Sequence, residues 1–285
     1  MGVMSARRRI TRISNASSPS GPARDSRGDE LTVESPLNLV LSDQIVATLM
    51  RTPGHDLELA AGWLVVESGV RRPEHLIGLR QCRTVDDLAA REAEGTGRGV
   101  DQVHVWLADG VTPPQPRAWV TGSACGVCSA DVLDLGPLRW ASPHRPGWTV
   151  EAEVVQSLPD RLRAEQRTFE RTGSLHAAGL ATGHGDVLVV REDVGRHNAV
   201  DKATGWALLD GRLPATDLLL SVSGRVSFEI VQKAVAASVA GIVAVSAPSD
   251  LAVDLAREHG LLLAGMVRDG RMNVYSGADL ITGST

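Results

Sequence analysis

Residues 218–245, LLLSVSGRVSFEIVQKAVAASVAGIVAV, decide the fold class of this chain. Leu218 to Val222 is a short continuous apolar run, and Ile242 to Val245 is another. Between them, Ser227 to Val239 carries apolar residues at helical spacing. A strand, a helix and a second strand, both strands apolar on two faces, belong to a mostly parallel sheet with helices on each side. The joining loop holds Ser223, Gly224 and Arg225. In α/β sheets such loops lie at the carboxyl ends of strands, where ligands bind. Free backbone N–H groups at the helix start, with Arg225, suit a phosphate.

Outward from this unit the alternation continues. Val187 to Val190 reads as a strand and His197 to Leu209 as a helix. Leu251 to His259 reads as a helix, and Leu261 to Val267 and Met272 to Tyr275 as strands. The last two are joined by Asp269-Gly270, the sequence of a tight hairpin turn, flanked by Arg268 and Arg271. Val154 to Arg171 reads as an amphipathic helix broken at Pro159.

The first half has a different character. Leu37 to Leu41 and Ile45 to Ala47 read as strands. Asp56 reads as the cap of a helix from Leu57 to about Glu67. Val103 to Leu107 and Ala118 to Val120 read as strands. Residues 1–32 are Ser, Arg, Gly and Pro with little apolar content, the composition of a disordered tail. Three segments result: the tail 1–32, an α+β part 33–150, and an α/β domain 151–285.

The bulk composition narrows the function. The 285 residues are 43% hydrophobic, enough for a substantial core. A net charge of -5 gives no basic footprint for nucleic acid. Only Lys202 and Lys233 are lysines, so cationic charge is almost all arginine. No run reaches the roughly 18 apolar residues of a membrane-spanning helix. The N-terminus lacks the apolar region of a secretory signal. Three cysteines do not make a disulfide framework, and a reducing cytoplasm fits them best.

Two of those cysteines form Cys125-Gly126-Val127-Cys128, among small residues that leave the sulfurs uncovered. This pattern suits a dithiol, a metal site or a sulfur carrier. A thioredoxin-like dithiol sits at the strand-to-helix junction of a small domain. A structural zinc site needs four ligands, and the chain has no second CxxC and no closely spaced histidine pair. A carrier takes sulfur as a persulfide and passes it on by chemistry akin to thiol–disulfide exchange. Cys82 stands alone and reads as structural. A second polar motif, R-E-D-V-G-R-H-N-A-V-D-K from Arg191, passes from a strand into a helix and offers Arg196 and His197 to an anion. Glu192 and Asp201 in it read equally well as ion-pair partners. There is no P-loop, and no H-x-E precedes a P-C-x-x-C, so nucleotide hydrolysis and zinc deamination are disfavoured.

Seven separated motifs together resemble the formate dehydrogenase accessory sulfurtransferases, the FdhD-type sulfur carriers. They are M-R-T-P-G-H-D from Met50, S-A-C-G-V-C from Ser123, T-G-S-L-H-A-A-G from Thr172, the Arg191 motif, S-G-R-V-S-F-E-I-V-Q-K-A from Ser223, V-S-A-P-S from Val245 and G-R-M-N-V-Y from Gly270. Ser129 stands where that family often has Gly. The resemblance implies a cytidine deaminase-like three-layer α/β sandwich without the deaminase zinc, preceded by a smaller β-rich part. It implies a homodimer, with Cys125 as persulfide carrier and Cys128 assisting. Sulfur would come from a cysteine desulfurase and go to the molybdenum (or tungsten) bis(molybdopterin guanine dinucleotide) cofactor of formate dehydrogenase. The family's cofactor segment falls on Met266, Val267, Arg268, Asp269, Gly270 and Arg271. From the residues themselves, the Ser223, Gly224 and Arg225 loop, the Arg196 and His197 turn and the arginine-bearing hairpin are all places for the guanine nucleotide's phosphates, and which loop holds guanine and which the pterin stays open.

Overall fold

The computed structural model describes residues 4–14, 23–82, 100–115, 120–121 and 146–283. Strands Ser5–Ser14 (β1) and Ala23–Thr32 (β2) come first. Then follow Ser35–Leu41 (β3), Gln44–Arg51 (β4), helix Asp56–Glu67 (α1), Leu76–Cys82 (β5), Asp101–Leu107 (β6) and Val120–Thr121 (β7). The second half runs Val150–Glu151 (β8), Ala152–Ala164 (α2), Arg167–Thr172 (α3), His176–Thr182 (β9), Val187–Asp193 (β10), Arg196–Leu209 (α4) and Leu218–Val222 (β11). It closes with Phe228–Ala237 (α5), Gly241–Ala244 (β12), Asp250–Glu258 (α6), Leu262–Arg268 (β13), Arg271–Ser276 (β14) and Ile281–Thr282 (β15).

The central sheet has the order β10-β9-β11-β12-β13-β14. β11, β12 and β13 are parallel to one another, and the other three pairings are antiparallel. The sheet is therefore mixed, not mostly parallel as the sequence suggests. The reason is β9, a strand of small buried residues that the periodicity does not reveal. It inserts between β10 and β11 and runs against both.

Alternation along the strands feeds two cores. Leu219, Val243, Leu262 and Ala264 face α2, with Val155 and Leu158. Leu218, Leu220, Val222, Ile242 and Leu263 face the other way, onto a layer containing α1, α4, α5 and α6. Beyond that helix layer lies the second sheet, order β5-β6-β3-β4-β7. Its Leu37, Leu39, Leu49, Val103 and Val105 belong to the same core as the central sheet. That core is continuous across the division expected near residue 150. Packed from both sides, α1 is buried through most of its circumference.

Three local expectations are corrected. Residues 1–32 do not form a featureless tail: β1 and β2 make an antiparallel hairpin. Its register sets Arg7 opposite Glu30, Arg8 opposite Asp29 and Arg12 opposite Asp25, so charge pairing supports strands that composition alone does not. The break expected at Pro159 falls instead at Glu165-Gln166, between α2 and α3. Proline in a helix interior costs about 3 kcal/mol. Burying Val155, Leu158 and Leu162 on the sheet offsets this, at roughly 1.5–3 kcal/mol each. Asp56 is the first residue of α1, not its cap; His55 takes the flanking position with φ 57°. The Asp56 carboxylate is engaged by the buried Arg51, at 2.9 and 3.1 Å.

Candidate functional site

The carboxyl ends of β11, β12 and β13 carry three loops that are tied together. Val226 N–H donates to Ala247 O at 3.4 Å, and Ser249 N–H to Val226 O at 2.9 Å. Met266 N–H donates to Ser246 O at 3.2 Å. Ser223 fixes the first loop to the start of β9: its N–H donates to Ala177 O (3.0 Å), and its Oγ accepts from Ala177 N–H (2.8 Å). The third loop is the expected tight hairpin. Asp269 and Gly270 both have positive φ, 52° and 67°, between the paired Arg268 and Arg271.

These loops wall a cavity of about 490 Å³. Ser223, Val267, Arg268, Asp269 and Gly270 line it on the sheet side, with His176 from β9. Gln156, Pro159 and Arg163 of α2 and Phe169 of α3 close the other side, the Arg163 guanidinium lying 4.6 Å from the Phe169 ring centre. The volume is in the range of a site for one nucleotide-sized ligand.

The β10–α4 turn reaches this cleft from the side, and its position is built from buried polar groups. Asp193, fully buried, accepts from Gly195 N–H (2.8 Å), Asn198 Nδ2 (3.0 Å) and Thr52 N–H (3.1 Å), and pairs with Lys202 Nζ at 2.7 Å. Lys202 also donates to Thr52 O (2.8 Å) and Asn198 to Met50 O (2.7 Å). The turn is thereby locked to the end of β4. Glu192 caps α3, accepting from Thr168 N–H (2.9 Å) and Phe169 N–H (2.7 Å). Arg191 pairs with Glu58, and Asp201 with Lys233 at 2.7 Å. Most of this polar motif is therefore scaffold.

What remains for a ligand is Arg196. Its Nε is buried and finds no hydrogen-bond partner among the described residues. An unsatisfied cationic donor next to a cleft is stabilised by an anion. Its aliphatic stem and His176 both approach Gly224: a Cβ there would lie 3.3 Å from His176 Nδ1 and 3.7 Å from Arg196 Cδ. Burial holds the His176 pKa below the ordinary value, and the Arg196, His197 and Arg225 charges lower it further, with Asp193 opposing. His176 is thus neutral near pH 7, beside two guanidinium groups.

The structure brings Ser223, Gly224 and Arg196 together around His176, and sets Val267, Arg268, Asp269 and Gly270 on the cavity wall. Arg225 is exposed at the rim. His197 turns away: its Nε2 lies 2.8 Å from Glu229 Oε2 and 3.2 Å from Ser227 Oγ, linking α4 to α5. Met266 and Arg271 flank the hairpin without lining the cavity. Cys125 and Cys128 lie outside the described residues, and Cys82 is half-buried with a free thiol. Gln156, Arg163 and Phe169 are lining residues that residue patterns alone do not pick out, and His176 lies within the T-G-S-L-H-A-A-G motif, which by itself gives it no site role. The signal for His176 is a lone polar residue opening the run His176-Ala177-Ala178-Gly179-Leu180.

Fold and cleft define an α/β protein that presents an anion-receptive pocket at strand ends. Residues 32–282 match the FdhD/NarQ family, and the chain belongs to it. It is 45% identical to the sulfur carrier protein FdhD of Nocardia farcinica, over 97% of this chain and 95% of that one. It is 44% identical to the sulfur carrier protein FdhD of Streptomyces coelicolor, over 99% and 97%. In fold it is similar to a crystal structure assigned to a formate dehydrogenase accessory protein from Desulfotalea psychrophila. The TM-score is 0.71 with 22% identity, covering 96% of this chain and 99% of that one. Among the described residues no helix is long and apolar enough to cross a membrane.

Proposed function

We propose that this protein is a cytoplasmic sulfur carrier serving formate dehydrogenase. It accepts sulfur from a cysteine desulfurase on Cys125 and delivers it to the molybdenum bis(molybdopterin guanine dinucleotide) cofactor, its client substrate. The observation that carries the cofactor part is the buried, unpartnered Arg196 Nε beside a nucleotide-sized cavity. Arg196, with Arg225 and Arg268, would receive diphosphate oxygens, and Gly224 leaves the backbone and His176 open to the ligand. Family membership supports the sulfur part. The helices on both faces of the central sheet support the deaminase-like architecture that the resemblance implies.

Loading is an exchange reaction. The Cys125 thiolate takes the outer sulfur of the desulfurase persulfide, and the desulfurase cysteine leaves as a thiolate, so there is no net redox change. A short tether limits where Cys125 can act. β7 runs parallel to β4, with Val120 opposite Thr48 and Thr121 opposite Leu49. Cys125 follows Thr121 by four residues, at most about 14 Å of chain. β4 ends against the Arg196 turn through the Met50 and Thr52 hydrogen bonds.

The test is intact-protein mass spectrometry after incubation with a cysteine desulfurase and cysteine, without reductant. Wild type should gain one sulfur, reversibly with a thiol, and Cys125→Ala should not. A gain retained in Cys125→Ala would remove Cys125 as carrier. No gain in either protein, with guanosine diphosphate still bound, would leave a non-catalytic cofactor chaperone as the function.

A further inference from the structure

His176 opens β9 on the cavity wall and is half-buried there. Ser223 fixes the next residue, Ala177, to the β11–α5 loop, so the ring is held in place. Neither ring nitrogen makes a hydrogen bond among the described residues. An imidazole offers a donor and an acceptor when neutral and two donors when charged. In this wall those groups have only the cavity to face.

The charges around the ring are unevenly answered. Arg196 and His197 of the β10–α4 turn and Arg225 of the β11–α5 loop all disfavour a charge on it. Asp193, opposite His176 in the β9–β10 register, favours one. Its oxygens, however, are already taken by Lys202, Asn198, Gly195 and Thr52. Glu229 answers His197 at 2.8 Å, which leaves the Arg196 and Arg225 guanidinium groups. Farther round the cavity, Asp160 and Asp269 balance Arg163 and Arg268.

A bound phosphate would reverse that balance. The space above Gly224 borders both groups: a Cβ there would lie 3.3 Å from His176 Nδ1 and 3.7 Å from Arg196 Cδ. Glycine leaves it open, so an oxygen in it can meet the imidazole and the Arg196 side chain together. A phosphate group carries about 1.5 to 2 negative charges near neutral pH. Negative charge within about 4–6 Å favours the protonated ring.

We propose that His176 is a charge-sensing ligand of the cleft: neutral until a phosphate seats on Arg196, it then takes a proton from solvent and donates a hydrogen bond to a phosphate oxygen. No covalent bond is made or broken. The inference rests on the cofactor part of the proposed function and adds how that site selects. Arg196 accepts any anion, whereas His176 adds its bond only where the negative charge suffices to hold the proton. Binding therefore tightens as pH falls through the neutral range, and release is favoured as it rises.

The experiment is calorimetry of guanosine diphosphate binding to the full chain, in buffers of different ionisation enthalpy, with wild type and His176→Asn. At about pH 7 the wild type should take up roughly half a proton per ligand, and the variant should lack that uptake. The phosphate's own ionisation, at about pH 6, is common to both proteins and cancels in the comparison. Wild-type affinity should exceed the variant's about tenfold at about pH 6.5, and the two should converge by about pH 8.5. An NMR titration of the His176 ring in wild type reads the same event without a variant. Its midpoint should rise by about one pH unit or more when the nucleotide is present. Binding with equal proton counts in the two proteins would overturn this proposal alone, as would a midpoint that the nucleotide leaves in place. No binding to wild type at any pH would overturn it together with the cofactor reading.

Discussion

Gly62 of α1 and Gly205 of α4 lie where the two helices touch backbone to backbone. A Cβ on Gly62 would fall 1.8 Å from Asp201 O, and one on Gly205 would fall 1.8 Å from Glu58 O. Alanine is favoured over glycine in a helix interior by about 1 kcal/mol. Here overpacking against a backbone carbonyl reverses that gain, with typical costs of 1–3 kcal/mol that rise when the neighbour cannot yield. Gly62→Ala should therefore lower stability by about 2 kcal/mol or more, read as a lower urea midpoint. An unchanged or higher midpoint would mean that the helices are not in this contact.

Arg196 gives the converse case, a residue whose removal should spare stability. Its Nε bonds to nothing among the described residues, so Arg196→Gln should leave the melting temperature in place. Hydrogen bonds to charged groups are worth about 1.5–3 kcal/mol. Affinity for guanosine diphosphate, measured by calorimetry, should thus fall roughly tenfold to a hundredfold. The same substitution should raise the His176 pKa, because the Arg196 charge is one of the causes holding it down. An NMR titration of that imidazole with no upward movement would separate the two residues.

At the level of elements, the β13–β14 hairpin shows how a turn presents a ligand wall. Asp269 and Gly270 adopt left-handed backbone, a conformation that costs a residue with a Cβ roughly 1–2 kcal/mol. Gly270→Val should destabilise the turn by that order and shift the Arg268 and Asp269 side chains off the cavity. Nucleotide affinity would then drop more than the melting temperature suggests. Equal affinity in the variant would argue that the hairpin is not part of the binding wall. α2 forms the opposite wall and is held by its packing on the sheet, which is why Pro159 sits inside it.

The whole molecule carries a pH dependence set by buried carboxylates. For Glu58 burial raises the pKa, but bonds to Arg191 and His55 outweigh it and leave it below 4.5. Glu229 is likewise held below 4.5 by His197 and Lys233 despite its burial. Such groups stabilise the fold above their ordinary pKa and lose that contribution as pH falls through the folded value. His176, held below 6.5, acts in the same direction, since protonating it is harder in the folded state. Burial pushes Asp201 up against the opposing pull of Lys233, which acts in the reverse direction and reduces the total. Stability should therefore decline from pH 6.5 downward and more steeply below 4.5. Glu58→Gln should flatten the lower limb in urea midpoints taken across pH 7 to 4. A midpoint that rises on acidification would contradict these assignments.

What the sequence determined was the part set by neighbours along the chain. β11, α5, β12 and the Asp269-Gly270 turn follow from local apolar period and turn chemistry, and they stand where the residues suggest. The CxxC motif and the family resemblance are equally one-dimensional. Only the tertiary structure decided the rest. His176 joined the site because β9, with no readable period among its small buried residues, was drawn between β10 and β11. Asp193 and Lys202 became scaffold because an unpaired buried charge is intolerable: they pair with each other, and both bond to Thr52 just past the end of β4, remote in sequence. The β1–β2 arm exists because its charges meet across strands, a pairing that composition cannot register.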